Sequence, residues 1–342
     1  MLYWLYGLAA LAAAWVLTAQ LRRYALKKNI IDVPNSRSSH KIPTPRGGGV
    51  AIVLSACTIV IVLTMTGVLT WATVQAWLLP GLLIAAIGFL DDHGHIAARW
   101  RLLGHFAATL GALLLLPAHV VVMVFGWELD LGIAAYLFFS LYLVWMLNLY
   151  NFMDGIDGLA SIQAISVCLG AIVAYLILGY YELVWLPLVL AMAVAGFLFW
   201  NFPPARIFMG DAGSGFLGVS LGVLSLQAAL TDQRLLWVWL ILMGVFIVDA
   251  TTTLLRRLLR GDKVYEAHRS HAYQHAALCF SSHKAITLAV AAINLCWLFP
   301  LSLTVGLLGW DGATVLIAAY APLIVLAFKW GAGKPDFAIN DR

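Results

Sequence analysis

The chain has 342 residues, of which 63% are hydrophobic and 11% charged, with a formal net charge of +4. Soluble domains run near ~45–50% apolar and ~25% charged. Here the apolar excess falls in long uncharged blocks, which excludes a soluble core, a disordered chain, a coiled coil and a secreted disulfide scaffold.

A helix that crosses ~30 Å of hydrocarbon needs about 20 apolar residues. On that rule the chain is all-α, a polytopic integral membrane protein forming one transmembrane unit over residues 1–342. About eleven spans are expected, near residues 2–20, 49–69, 74–90, 103–125, 131–150, 158–179, 183–200, 214–230, 235–255, 285–307 and 312–328. The first is read as a retained span, because its basic residues Arg22, Arg23, Lys27 and Lys28 follow it rather than precede it. If the loop after span one is cytoplasmic and the loops alternate, nineteen of the twenty Lys and Arg lie on that side and Arg234 stands alone outside. The expectation is therefore an outer N-terminus and a cytoplasmic C-terminus. Eight of the nine histidines, the paired acids, the asparagines and the glycine-rich turns sort to the same side, with His119 as the exception. Cys57, Cys168 and Cys296 sit in apolar runs and Cys279 has no CxxC partner, so all four read as small membrane residues.

Five cytoplasmic loops carry the chemistry. The first, Asp32 to Gly49, holds three prolines and three glycines, with Lys41 and Arg46 beside the start of span two. Consecutive amides at a helix start beside cations suit a phosphate, and a basic loop lying on anionic lipid is the plainer reading. The second loop opens on Asp91-Asp92. Adjacent carboxylates at a membrane boundary repel, which a cation or proton relieves, and Mg²⁺ with a phosphate-bearing substrate fits. In the third, Asn148/Asn151 and Asp154/Asp157 are each spaced i, i+3, so a helical turn would present each pair on one face.

The fourth loop runs from Asn201 through Arg206 to an exposed Phe208-Met209 pair, then Gly210-Asp211-Ala212-Gly213 at the start of span eight. The fifth carries His268-Arg269-Ser270-His271. Two histidines at i, i+3 lack a third ligand with zinc spacing, so Arg269 between them points to phosphate instead. Arg256, Arg257 and Arg260 read as membrane-surface anchors, with Asp249 at a span end paired to one of them. Asp154-x-x-Asp157-Gly158 also resembles the opening of the CDP-alcohol phosphotransferase signature. Ser161-Ile162 stands where that signature has Ala-Arg, and no further acid pair follows, which disfavours it.

Taken together, Pro43 to Gly49, Asp91-Asp92, Asn148 to Gly158, Asn201 with Phe208-Met209-Gly210-Asp211, and the His268/His271 loop resemble the polyprenyl-phosphate N-acetylhexosamine-1-phosphate transferases. The resemblance covers nearly the whole chain, with all five elements in family order. It implies an enzyme of the bacterial inner membrane with its site at the cytoplasmic face. That enzyme would pass an N-acetylhexosamine 1-phosphate from a UDP-sugar to undecaprenyl phosphate, releasing UMP and starting a lipid-linked glycan such as an O-antigen or capsule. Mg²⁺, with Mn²⁺ as a substitute, is implied at Asp211. Asp91 and Asp92 are implied at the lipid phosphate or its deprotonation. Asn148, Asn151, Asp154 and Asp157 are implied at the nucleotide. Lys41, Thr44, Asn201, Arg206, His268, Arg269 and His271 complete the implied substrate-binding set.

The partners implied are undecaprenyl phosphate, a UDP-N-acetylhexosamine and membrane lipid, with no nucleic acid and with a homodimer left open. His-Arg-Ser-His replaces the three consecutive histidines of the MurNAc-pentapeptide translocases, and Pro-Arg-Gly-Gly-Gly replaces their Pro-Thr-Met-Gly-Gly, which turns the expectation toward a smaller sugar. The rival reading is a secondary transporter or lipid flippase. Such proteins keep polar groups near the bilayer midplane, whereas the span centres here are almost free of ionisable residues.

Overall fold

The structure is a computed structural model that describes residues 4–34, 39–40, 42–94, 96–263 and 268–335. In chain order the elements are α1 (Trp4–Lys27), β1 (Ile31–Asp32), β2 (Thr44–Pro45), α2 (Val50–Met65), α3 (Trp71–His93), α4 (Ala98–Leu115), β3 (Val122–Val124), β4 (Trp127–Leu129), α5 (Ala134–Met153) and α6 (Leu159–Leu178). A 3₁₀ turn at Tyr181–Val184 leads into α7 (Trp185–Asn201), α8 (Asp211–Thr231), α9 (Arg234–Leu242), α10 (Gly244–Leu259) and α11 (Ala272–Phe280). Then α12 (His283–Ile293) runs through a π-helical turn, Asn294–Leu298, into α13 (Phe299–Leu308), and α14 (Gly312–Lys329) follows.

The protein is a mostly helical, multi-pass membrane protein. Among the described residues eight helices are long and apolar enough to cross a bilayer, and the bent pair α9–α10 makes a ninth. Each of the eleven segments expected from the sequence falls on a helix. However, α2 is only 16 residues long, and α4 opens on Arg99 and Arg101.

The centre of the bundle is α8, whose most apolar stretch is 89% buried. Without a hydrophobic force between helices in lipid, close backbone approach through small residues supplies the packing. A side chain at Gly218 would strike the Met146 carbonyl of α5 at 2.5 Å, and one at Gly222 would strike Leu143 at 2.7 Å. At the loop-bearing end, Gly88 of α3 lies against the Asp211–Ala212 backbone, and Gly49 and Gly213 abut each other. These contacts lock the starts of α2 and α8 to the end of α3.

Besides its helices the fold carries two short strand pairs: β3 and β4 pair in register Val122↔Leu129, and β1 pairs with β2. Three expectations need correction. The β3–β4 hairpin takes residues that the fourth span was expected to include, because Phe125 and Gly126 both adopt positive φ, the geometry of a two-residue hairpin turn. The ninth span is not straight. Its two halves meet at 71° around Met243, where the Leu242 carbonyl accepts from Gln163 Nε2 at 3.2 Å and Asn294 Nδ2 donates to Gln163 Oε1 at 2.7 Å. Lastly, Arg256, Arg257 and Arg260 are not free anchors. Arg256 donates to the Ala332 carbonyl and lies over Phe328, Arg257 is buried and pairs with Asp262, and Arg260 reaches Asp262 and the Gly333 carbonyl.

Candidate active site

The loops gather at one end of the bundle around a two-lobed cleft. One lobe, about 330 Å³, has apolar walls from Ile84, Ile87, Leu147 and Phe152 and a polar floor of Asp91, Arg101, His105, Asn148 and His271. The other, about 400 Å³, is lined by Asp32, His40, Arg46, Asp92, Asp154, Asp157, Asn201, Phe208 and His283 among others. Asn151, Gly155, Asp211, His268 and Gln274 border both, so the lobes meet at Asp211.

The two adjacent acids do different things. Asp92 is 5% exposed, and its oxygens accept from the backbone N–H of Asp211 at 3.2 Å and of Ala212 at 3.3 Å. It caps α8 from another helix, satisfying amides that a helix start leaves unpaired. Gly210, at φ +79°, is the one residue that fits there, because a Cβ would meet the Asp92 carboxylate at 2.7 Å. Arg46 donates to the Asp92 carbonyl at 2.7 Å, binding the first loop to the same junction. Asp91 instead faces the apolar-walled lobe. It accepts from the Ile96 amide at 2.8 Å and pairs with Arg101, whose guanidinium also lies 3.5 Å from Asp211.

The phosphate nest expected at the start of α2 is closed. Gly48 and Gly49 donate to the carbonyls of Phe208 and Met209 at 2.9 and 2.8 Å, and Phe208 donates to Pro45 at 2.8 Å. The amides that looked available for an anion tie the first loop to the fourth. That pairing buries Met209 completely and packs Phe208 against the edge of His40, so the pair is not exposed as expected.

Asn148 and Asn151 share the last turn of α5, where Asn148 Nδ2 also donates to the Val144 carbonyl at 2.7 Å. The helix ends before the second pair, so Asp154 and Asp157 are not on one helical face. Asp157 accepts from Ala205 N–H at 3.0 Å and lies 3.2 Å from His283 Nδ1. Asn201, 3% exposed, accepts from Gly158 N–H and donates to the Ile207 carbonyl, both at 3.0 Å, so its amide joins two loops. Asp154 makes no such bond among the described residues. Burial, and then the charges of Asp211, Asp92 and Asp157, push its carboxyl well above the usual carboxylate range.

In the fifth loop burial, then His271 and Arg257, push His268 down to about 3. His271 is held at Nδ1, 3.3 Å from Asp249. Asp249 therefore serves His271, not an arginine as expected. It also accepts the Ala272 and Tyr273 amides, each at 3.0 Å, and so caps α11.

Not every expected residue reaches the cleft. Thr44 is buried in the β1–β2 pair and donates to the Ile42 carbonyl, while Arg206 is exposed and lies over Trp200, so neither lines a lobe. Arg269 is half-buried beside His268 but is not on either wall. Lys41 lies outside the described residues. Conversely, the structure brings in Arg101, His105, His283, Tyr273 and Gln274, which the sequence reading passed over. Arg101 and His105 carried a signal: they stand one helical turn apart, shortly after the acid pair.

A site for a divalent cation can be tested on these donors. Among the described residues no three His, Cys, Asp or Glu side chains converge as a metal cage. Mg²⁺ does not demand one, since it takes one or two carboxylates and completes its shell with phosphate oxygens and water. Asp211 and the uncompensated Asp154 supply hard oxygen donors of that kind, so the donor set fits.

The fold and cleft define a multi-pass membrane protein with a two-lobed, acid-rich cleft at one end of its helical bundle. Residues 74–229 match glycosyl transferase family 4. The chain is 30% identical to a probable undecaprenyl-phosphate N-acetylglucosaminyl 1-phosphate transferase of Bacillus subtilis, over 98% of this chain and 92% of that one. It is 30% identical to a decaprenyl-phosphate N-acetylglucosaminephosphotransferase of Mycolicibacterium smegmatis, covering 80% and 77%. It is 35% identical to a phospho-N-acetylmuramoyl-pentapeptide-transferase of Moorella thermoacetica, covering 66% and 72%. The chain belongs to glycosyl transferase family 4.

Proposed function

We propose that the protein transfers an N-acetylhexosamine 1-phosphate from a UDP-sugar to undecaprenyl phosphate at the cytoplasmic face of the bacterial inner membrane. The products are an undecaprenyl-diphospho-sugar and UMP, and the product starts a lipid-linked envelope glycan. The observation that carries the reading is the pair of lobes meeting at Asp211: one with apolar walls, suited to the head of a polyprenyl phosphate, and one lined mainly by charged and polar side chains, suited to a sugar nucleotide. The names of the relatives favour N-acetylglucosamine as the donor sugar. The topology proposed with it has eleven crossings, α2 and α4 among them, with an outer N-terminus and a cytoplasmic C-terminus.

Both substrates are anionic, so the site must offset their repulsion and hold the attacking oxygen in line with the β-phosphorus. Arg101 is placed between Asp91 and Asp211, 3.5 Å from the latter, as a cation at the junction. Asp91 positions Arg101, and Asp92 positions Asp211 through the start of α8. Asn151 and Asp154 border the polar lobe, with Asp157, Asn201 and His283 fixing its wall. Mg²⁺, or Mn²⁺ in its place, held by Asp211 with Asp154, would supply charge neutralisation to the phosphates.

The assay is UMP release by purified protein given undecaprenyl phosphate, Mg²⁺ and a panel of UDP-N-acetylhexosamines, with and without EDTA. Lipid- and metal-dependent UMP from one donor supports the reading and identifies the sugar. Folded protein that releases no UMP from any donor contradicts it and returns the transporter reading.

A further inference from the structure

Two imidazoles of the apolar-walled lobe, those of His105 and His271, each have a buried nitrogen without a hydrogen-bond partner among the described residues. His271 is 2% exposed, and its free nitrogen is Nε2, on the wall shared with Asp91, Arg101 and Asn148. The ring cannot turn freely. It stacks between His268, at 5.0 Å and 29°, and Tyr273, at 5.6 Å and 28°. Its Nδ1 faces Asp249, which is itself fixed by the Ala272 and Tyr273 amides and by Thr253 Oγ1 at 3.2 Å. A carboxylate at Nδ1 holds the proton on that nitrogen, which leaves a lone pair on Nε2 of a ring that lines the lobe.

The other acid–base groups of the lobe are less suited to take a proton. Both oxygens of Asp91 are occupied, one by the Ile96 amide and one by Arg101. His105 Nδ1 has no hydrogen-bond partner among the described residues to orient the ring, and His268 Nδ1 is engaged with Ser270 Oγ at 2.8 Å. We propose that His271 Nε2 accepts the proton of the acceptor phosphate, with Asp249 as its positioning residue. This rests on the transfer reaction above.

The step balances. The polyprenyl phosphate monoanion gives its P–O–H proton to Nε2, and the resulting oxyanion forms a bond to the β-phosphorus of the donor. The bond from that phosphorus to the bridging oxygen breaks, the electron pair leaves with UMP, and the imidazolium returns its proton to water. Among the described residues the charged and titratable groups around His271 are Asp249 on α10, His268 and Tyr273 stacked on the ring, and Asp91, Arg101, His105 and Asp211 of the same lobe.

The test is UMP release from UDP-N-acetylglucosamine and undecaprenyl phosphate by the full-length wild type, His271→Gln, Asp249→Asn and the double variant, across pH. A phosphate monoester ionises a second time near about pH 6, so a base matters below that point and little well above it. His271→Gln is expected to lose about 100-fold near pH 5.5 and less than about tenfold near pH 8.5. Asp249→Asn follows the same trend, and costs less than about twofold once His271 is already Gln. A deficit of equal size at both ends of the range, or an undiminished Asp249→Asn effect in the double variant, overturns the inference while leaving the transfer reaction standing. Absence of UMP from the folded wild type overturns the transfer reaction, and the inference with it. Should the variants fail to fold, nitrogen-15 chemical shifts of His271 in the wild type decide: the proton on Nδ1 in the neutral ring supports the assignment, and the proton on Nε2 refutes it.

Discussion

Substituting Asp92 separates a positioning acid from one that touches substrate. Its carboxylate accepts two backbone amides at the start of α8. Removing a capping side chain costs about 1 kcal/mol, and losing a negative charge at a helix N-terminus adds about 0.5–1 kcal/mol. Asp92→Ala should therefore destabilise the protein by about 2 kcal/mol, measured as unfolding in detergent. Asp92→Asn should cost about half of that, because one oxygen remains while the amide NH₂ confronts the second N–H. Turnover should fall in both, since Asp211 is the first residue of the helix that Asp92 caps. Asp91→Asn offers the contrast: it releases Arg101 into the lobe and leaves the cap of α8 in place, so turnover should collapse with a smaller loss of stability than Asp92→Ala shows. The reasoning is refuted if Asp92→Asn abolishes turnover with no loss of stability, which would put Asp92 on a substrate, or if Asp92→Ala is thermodynamically silent.

Further outcomes are expected elsewhere. Asp211→Asn should abolish UMP release while membrane yield and unfolding stay near wild type; near-normal rates would remove Asp211 from the metal site. Gln163→Leu leaves the Leu242 carbonyl and the Asn294 amide unpaired at the break between α9 and α10, so it should cost about 2–4 kcal/mol, and an unchanged unfolding transition would contradict that. His268 is held neutral in the folded protein down to about pH 3, whereas an unfolded histidine binds a proton near pH 6.5. The folded state therefore loses stability as pH falls from about 6.5 toward 3, and gains nothing above that window. His268→Gln should flatten this decline when unfolding is followed against pH; an unaltered slope would show that His268 is not buried as a neutral ring.

Much of the architecture was legible because a bilayer imposes simple rules on sequence. Apolar blocks of the right length marked the helices, and the one-sided distribution of Lys and Arg gathered the chemistry at one end, where the cleft lies. The motif loops were legible for a related reason: clustered Asp and Asn beside lipid are costly unless they have a use. What was missed depends on contacts between distant segments. Within 235–255 only Gly244 hints at a break, and the freed carbonyl at Leu242 is satisfied by Gln163 of another helix. Asp92 looked like the twin of Asp91, and only the approach of α8 distinguishes them. The phosphate nest at Gly48 and Gly49 was sound chemistry for an isolated loop, but the fourth loop takes up those amides. Asp249 stood near three arginines in sequence, yet the turn before α11 brings His271 to it instead. The β3–β4 hairpin, like the Arg101/His105 pair, had a local signal to be read: Phe125-Gly126 between two short β-forming runs.

The claim most open to direct test is that the phosphate travels with the sugar. Protein given undecaprenyl phosphate and a donor labelled both in the sugar and at the β-phosphorus should move the two labels into the lipid product in equal amounts, with unlabelled UMP left in water. Sugar label in the lipid without the β-phosphorus would mean ordinary glycosyl transfer to the lipid phosphate, and would contradict the account at its centre.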